Sequence, residues 1–125
     1  MLGMVCDQCN LQCYMNPNDF LTELIRSIND LDNTVNSFID YLGQVERLGV
    51  TVEAGEVILP EHMRNSLEGI HINDSLYQRM DLINTMRDRI MELFDMERNQ
   101  NILDVNTSRT LFERFAHIVE RLTMF

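Results

Sequence analysis

The feature that most constrains this chain is a run of apolar residues spaced alternately three and four positions apart. The spacing continues without a break from position 21 to position 45, and it is the 3.5-residue period of a coiled-coil seam. The seam residues are Leu21, Leu24, Ile28, Leu31, Val35, Phe38, Leu42 and Val45. Ile25 and Ile39 widen this stripe, which favours a bundle over a two-stranded coil. We therefore predict one long amphipathic helix that packs against other helices along this seam.

Local signals place the ends of this helix. Asn16 is a good capping residue, Pro17 suits the first helical position, and Gly49 favours a stop. A helix from Pro17 to Leu48 would be roughly 48 Å long, whereas a compact chain of this length has a radius of gyration of roughly 14 Å. We therefore expect the chain to cover only part of its seam and to pair the rest with a second copy, most simply as a homodimer.

Two further helices are predicted. A second long helix begins near Ser75, which starts a capping-box pattern, and ends near Asn99. A third helix is predicted over Ser108–Met124, with possible caps between Asp104 and Thr107. Its apolar stripe is Leu111, Phe115, Ile118, Leu122 and Phe125, flanked by Phe112 and Val119. This stripe is so dense that part of it is expected either to close the bundle or to be offered to a partner.

The segment between the first two long helices breaks the helical period. Residues 49–60 favour an ordered loop over a small hairpin that pairs Val50–Glu53 with Glu56–Leu59, because two isolated strands are only marginally stable. A short helical connector, Glu61–Glu68, is then expected to end at Gly69. The whole pattern predicts an all-α fold, an elongated helical bundle or helical hairpin with a coiled-coil seam.

All three cysteines lie close together, at Cys6, Cys9 and Cys13. Thiolates at this spacing can surround one tetrahedral metal ion, and a structural zinc would take its fourth ligand from His62, His71 or a second chain. Two alternatives stay open, a reduced segment that moves freely or carries a lipid, and a turn packed against the bundle.

The domain organisation follows from these patterns. We predict a flexible, cysteine-containing N-terminal segment over residues 1–15 and a single helical domain over residues 16–125. The second helix carries Met80, Met86, Met91 and Met96. Methionine is adaptable in packing, so these residues either fill the core in the ordinary way or allow this helix to contact more than one partner surface.

Charge excludes several classes of partner. The chain has 20 acidic residues against 10 basic ones, all of them arginine, and a net charge of −10. Such a surface repels nucleic acid and anionic lipid unless a local basic patch exists. No apolar run approaches the roughly 18 residues of a membrane span, and the N-terminus lacks the pattern of a secretory signal. We therefore expect an intracellular protein that contacts neither membranes nor nucleic acid. Its neutral segment, residues 101–125, is a candidate docking face, and the alternative is that its three arginines simply solvate the outer face of an amphipathic helix.

No motif for catalysis or phosphate binding is found, and His117 is expected to be a hydrogen-bonded or semi-exposed residue rather than a base. We predict a non-enzymatic helical assembly protein, either a self-associating module or a small adaptor subunit of a protein complex. Its predicted interface comprises the seam together with Phe115, Ile118 and Leu122. The alternative is a zinc-stabilised interaction module built on the cysteine cluster, and no other cofactor is expected.

Overall fold

The computed structural model describes residues 16–123. In chain order the elements are α1 (Pro17–Glu46), β1 (Thr51–Glu53), β2 (Glu56–Ile58), a 3-10 helix (Glu61–Met63), α2 (Leu67–Gln100) and α3 (Val105–Leu122). The predicted all-α fold, with two long helices and a C-terminal helix, is confirmed.

The start of α1 is the one predicted from the sequence. Asn16 is the N-cap, its side-chain oxygen accepts a hydrogen bond from the Asn18 amide at 2.9 Å, and Pro17 occupies the first helical position. The helix ends at Glu46, two residues before the predicted end, and Gly49 follows with a φ of +91°. This left-handed conformation turns the chain towards the hairpin.

Both other helices pack on α1. The first turn of α3 lies beside Leu21 and Ile25, while Arg121 near its end reaches Asp32 and Asn36, so α3 runs parallel to the first half of α1. α2 runs antiparallel to α1, because Arg79 in the first half of α2 contacts Tyr41 near the C-terminal end of α1. The Arg79 guanidinium lies 4.3 Å from the centre of the Tyr41 ring.

The seam of α1 is buried inside the chain. Seven of its eight side chains are buried and Leu21 is half-buried. The expectation that the chain covers only part of the seam is therefore wrong. The prediction compared the length of α1 with the radius of a compact chain, whereas α2, α3 and the hairpin all pack against α1.

The α2 helix begins nine residues earlier than predicted, because Ser66 rather than Ser75 is its N-cap. The Ser66 hydroxyl accepts a hydrogen bond from the Gly69 amide at 2.9 Å. Gly69 does not end a connector: it lies in the first turn of α2, where a Cβ would stand 1.9 Å from the carbonyl oxygen of Met63. The glycine thus permits the 3-10 helix to approach α2 closely.

Residues 51–58 form a hairpin, so the prediction of an ordered loop is wrong. Ala54 and Gly55 both have positive φ, +52° and +78°, as the two central residues of a type I′ turn do. Val52 pairs with Val57, whose amide donates to the Tyr77 hydroxyl of α2 at 3.2 Å. The strands are stable because they are not isolated: β1 packs against α1 and β2 against α2.

The α3 helix begins at Val105, three residues before the predicted start, with Asp104 as its N-cap. The cap lies within the range predicted for it. None of the helices described here combines the length and the apolar character needed to cross a membrane.

Candidate interaction groove between α2 and α3

The structure places the predicted interface residues in the core of the chain. Besides the seam, Phe115 and Ile118 of α3 are buried and Leu122 is half-buried. A contact with another chain through these side chains would require the helices to separate. They fill the bundle, and the surface available for contact lies elsewhere.

The predicted zinc ligands Cys6, Cys9 and Cys13 lie outside the described residues, so zinc binding stays a prediction. His62 and His71 are exposed. Within residues 16–123, no three histidine or carboxylate side chains converge to hold a metal ion.

The third histidine, His117, lies on the outer surface of α3 with 85% of its side chain exposed, and its Nδ1 stands 3.9 Å from the Glu120 carboxylate. His117 is therefore more exposed than the semi-exposed residue predicted from the sequence.

A groove opens between the last turns of α2 and the first turns of α3. It encloses a cavity of about 560 Å³. Its lining residues are Met91, Phe94, Glu97, Arg98, Asn101, Leu103, Val105, Ser108, Arg109 and Phe112. Because the two helices that bound it are joined by a short turn, the groove lies at one end of the bundle.

Two phenylalanines, Phe94 and Phe112, form the apolar wall of this groove, and the buried ring of Phe115 packs against both. The Phe94 ring meets Phe112 edge to face at a centroid distance of 5.2 Å and lies 5.7 Å from Phe115. Phe94 and Phe115 are buried, whereas Phe112 is 46% exposed although its ring is held by the other two. Such edge-to-face pairs are favourable beyond the area they bury. Phe112 is therefore an aromatic side chain held in place with part of its ring in solvent.

A buried carboxylate fixes the floor of the groove. Glu97 is only 8% exposed, and its Oε1 accepts a hydrogen bond from the Ser108 hydroxyl at 2.8 Å. Its Oε2 accepts another from the Leu103 amide at 3.3 Å. Buried carboxylates are costly unless they are hydrogen-bonded, and these two bonds satisfy one oxygen each. Glu97 thereby ties α2 to the turn and to the first turn of α3.

A second carboxylate fixes the start of α3. Asp104 accepts a hydrogen bond from the Thr107 amide at 2.6 Å. This backbone bond, together with bonds from the Thr107 hydroxyl and the Asn106 amide, lowers the pKa of Asp104 below its ordinary value. The wall formed by α3 therefore begins at a well-defined cap.

Among residues 16–123, the exposed charged side chains that line the groove are both arginines. Arg98 of α2 pairs with Asp95 one turn before it. Arg109 of α3 is exposed and has no ion pair with any residue in the described part of the chain. The groove thus combines an apolar wall with cationic side chains from both of its helices.

Sequence reasoning missed most of this site. It placed Phe112 beside the main stripe of α3 and Met91 among the methionines of α2, but it did not join them. Both are exposed in the structure, as is Val105. The position of Phe112 could have indicated the site, because this large apolar residue lies beside the stripe that closes the bundle rather than within it.

No family model matches the chain, and no curated protein and no solved structure matches it.

Proposed function

We propose that this chain is a non-enzymatic helical assembly protein, a small adaptor subunit that docks a helix of a partner protein in the groove between α2 and α3. The observation that carries the proposal is the exposed, held ring of Phe112 beside a cavity between two helices. Grooves of this kind receive the apolar face of an amphipathic helix.

The composition of the groove supports this function. Met91, Val105 and Phe112 expose apolar surface around one cavity, and aromatic residues in such places are frequent sources of binding energy. Met91 can adjust its conformation to the partner's side chains. The floor is already ordered by Glu97, so little conformational entropy is lost there on binding.

The burial of the seam supports an adaptor subunit over a self-associating module. The seam favoured for a homodimer is covered by the chain's own elements, whereas the groove is open. A partner can occupy the groove without unfolding the bundle. We therefore favour an adaptor over a dimer held by the seam.

A photo-crosslinking amino acid at position 112 tests the proposal. p-Benzoyl-phenylalanine replaces Phe112 in the full chain, in the cells that naturally produce it, and adducts are identified by mass spectrometry after irradiation. The matched control places the same group at Leu82, which is 52% exposed on α2 and does not line the groove. We expect a defined adduct from position 112 that is absent from position 82.

The identity of the protein crosslinked to position 112 decides between the functions. An adduct to a helical segment of another protein supports the adaptor function. An adduct to a second copy of this chain would replace the adaptor by a self-associating module that uses the groove. The absence of any adduct at position 112, or the same adducts at both positions, would contradict the proposal.

A further inference from the structure

We infer that the groove between α2 and α3 selects an acidic amphipathic helix, one whose apolar stripe is flanked by aspartate or glutamate. This inference rests on the proposed function and specifies the chemistry of the partner.

The exposed charges in the groove differ in sign from the net charge of the chain. Acidic residues outnumber arginines two to one in the chain, yet the exposed charged residues lining the groove are Arg98 and Arg109. Glu97 also lines it, but this carboxylate is buried and both of its oxygens already accept hydrogen bonds. A docked helix therefore meets cationic groups at the rim.

The two arginines are placed to recognise both flanks of a helix. Arg98 belongs to α2 and Arg109 to α3, so one comes from each helix that bounds the groove. A helix that lays its apolar stripe against Phe112 turns the residues beside that stripe towards these two helices. Carboxylates at those positions meet guanidinium groups, which bind them in a planar, two-pronged geometry.

Arg109 contributes more to this selectivity than Arg98. Arg98 already pairs with Asp95, whereas Arg109 has no ion pair among the described residues. A carboxylate that approaches Arg109 does not have to displace an existing partner. The net charge of −10 repels an acidic helix at long range, but salt screens this repulsion beyond about 8 Å. The charges within the groove therefore decide which helix is accepted.

Two designed peptides test the inference. Both are helical, about 18 residues long, and carry the same stripe of leucine and phenylalanine; one has glutamate on both flanks and the other lysine. Binding of each labelled peptide to the full chain is measured by fluorescence anisotropy. We expect the glutamate peptide to bind about tenfold more tightly than the lysine peptide, or better.

Charge reversal at one position locates the effect. Arg109→Glu should weaken binding of the glutamate peptide by about tenfold or more and strengthen binding of the lysine peptide. Arg114→Glu is the matched control, because Arg114 is also exposed on α3 but does not line the groove. It should change either affinity by less than about threefold. Circular dichroism of both variants checks that they remain folded.

Phe112→Ser separates failure of this inference from failure of the proposed function. If both peptides bind the unmodified chain equally and neither binds Phe112→Ser, the groove docks helices but does not select acidic ones. This result would overturn the inference and retain the proposed function. Failure of both peptides to bind the unmodified chain overturns the inference, and an empty crosslinking result at position 112 then overturns the proposed function as well.

A third peptide, residues 1–15 of this chain, tests whether the groove binds this segment rather than a partner helix. If it binds the groove more tightly than the glutamate peptide and competes with it, the groove belongs to the chain itself. The inference is then wrong.

Discussion

Two glycines in the long helices have opposite surroundings. A Cβ on Gly69 would lie 1.9 Å from the carbonyl oxygen of Met63, whereas a Cβ on Gly43 has nothing within 4 Å in the described part of the chain. Gly69 is therefore required by the packing of the 3-10 helix against α2. Gly43 has no such role, and it lowers the stability of α1 because glycine loses more conformational entropy on folding than alanine.

Replacing each glycine by alanine should change stability in opposite directions. Gly69→Ala should lower the free energy of unfolding by roughly 1–3 kcal/mol, because the added methyl group forces the 3-10 helix away. Gly43→Ala should raise it by roughly 0.5–1 kcal/mol. Urea unfolding followed by circular dichroism measures both changes. A Gly69→Ala variant as stable as the unmodified chain would show that the close approach is not needed.

At the scale of elements, the turn between α2 and α3 determines the shape of the groove. Asn101 leaves α2 in a left-handed conformation with φ +52°, and Asp104 caps α3 three residues later. Between them, the Leu103 amide is held by Glu97. The turn is thus anchored to α2 and to α3 by side-chain hydrogen bonds, and loss of either anchor is expected to loosen the groove.

The lowered pKa of Asp104 predicts a pH-dependent contribution of this cap to stability. Hydrogen bonds, first of all from the Thr107 amide, favour the ionised carboxylate in the folded state. The contribution is complete above the ordinary aspartate pKa of about 4 and is lost as the pH falls through the lower folded-state value. Asp104→Ala should therefore lower the melting temperature at neutral pH and lower it less at about pH 2.5.

Asp104→Asn is the control for this prediction. Asparagine also caps helices but does not titrate, so this variant should keep part of the stability without the pH dependence at this position. An equal loss in Asp104→Ala at both pH values would show that the charge of the carboxylate does not stabilise the cap.

At the scale of the whole molecule, α1 is the element on which the others pack. α2 lies against it, α3 follows its first half, and β1 packs against it after the chain reverses. Arg121 joins the end of α3 to the middle of α1 through Asp32 at 2.6 Å and Asn36 at 2.8 Å. The seam is therefore the core of one chain.

A charge in the middle of the seam should unfold the chain. Leu31 is fully buried, and an unpaired carboxylate at this position costs several kcal/mol, comparable with the ~5–15 kcal/mol that stabilises a typical domain. Leu31→Asp should lose its helical circular dichroism and its cooperative melting. Asn33→Asp, which adds the same charge at an exposed position of α1, should remain folded.

Sedimentation velocity on the same variants distinguishes a seam that forms the core of one chain from a seam that joins two chains. If Leu31→Asp remains helical and is a folded monomer where the unmodified chain is an oligomer, the seam is an interface between chains rather than the core of one chain.

Local sequence patterns predict that three helices form and which faces they bury, although they misplace the start of α2. The caps at Asn16 and Asp104 depend on hydrogen bonds to amides two and three residues away, and an apolar stripe depends only on the helical period. These are local properties. For the same reason Phe115 and Ile118 were recognised as members of a buried or binding stripe, although the sequence did not tell which.

Which surfaces remain open depends on how distant segments pack together. Gly69 resembles a helix stop in the sequence, but in the structure it allows Met63 to pack closely against α2. The hairpin would be marginally stable alone, and it is stable because it packs against α1 and α2. The groove exists because α3 closes the seam with one part of its apolar surface and leaves Phe112 outside. Burial depends on which distant segments meet, and that information is spread over the whole chain rather than contained in any local pattern.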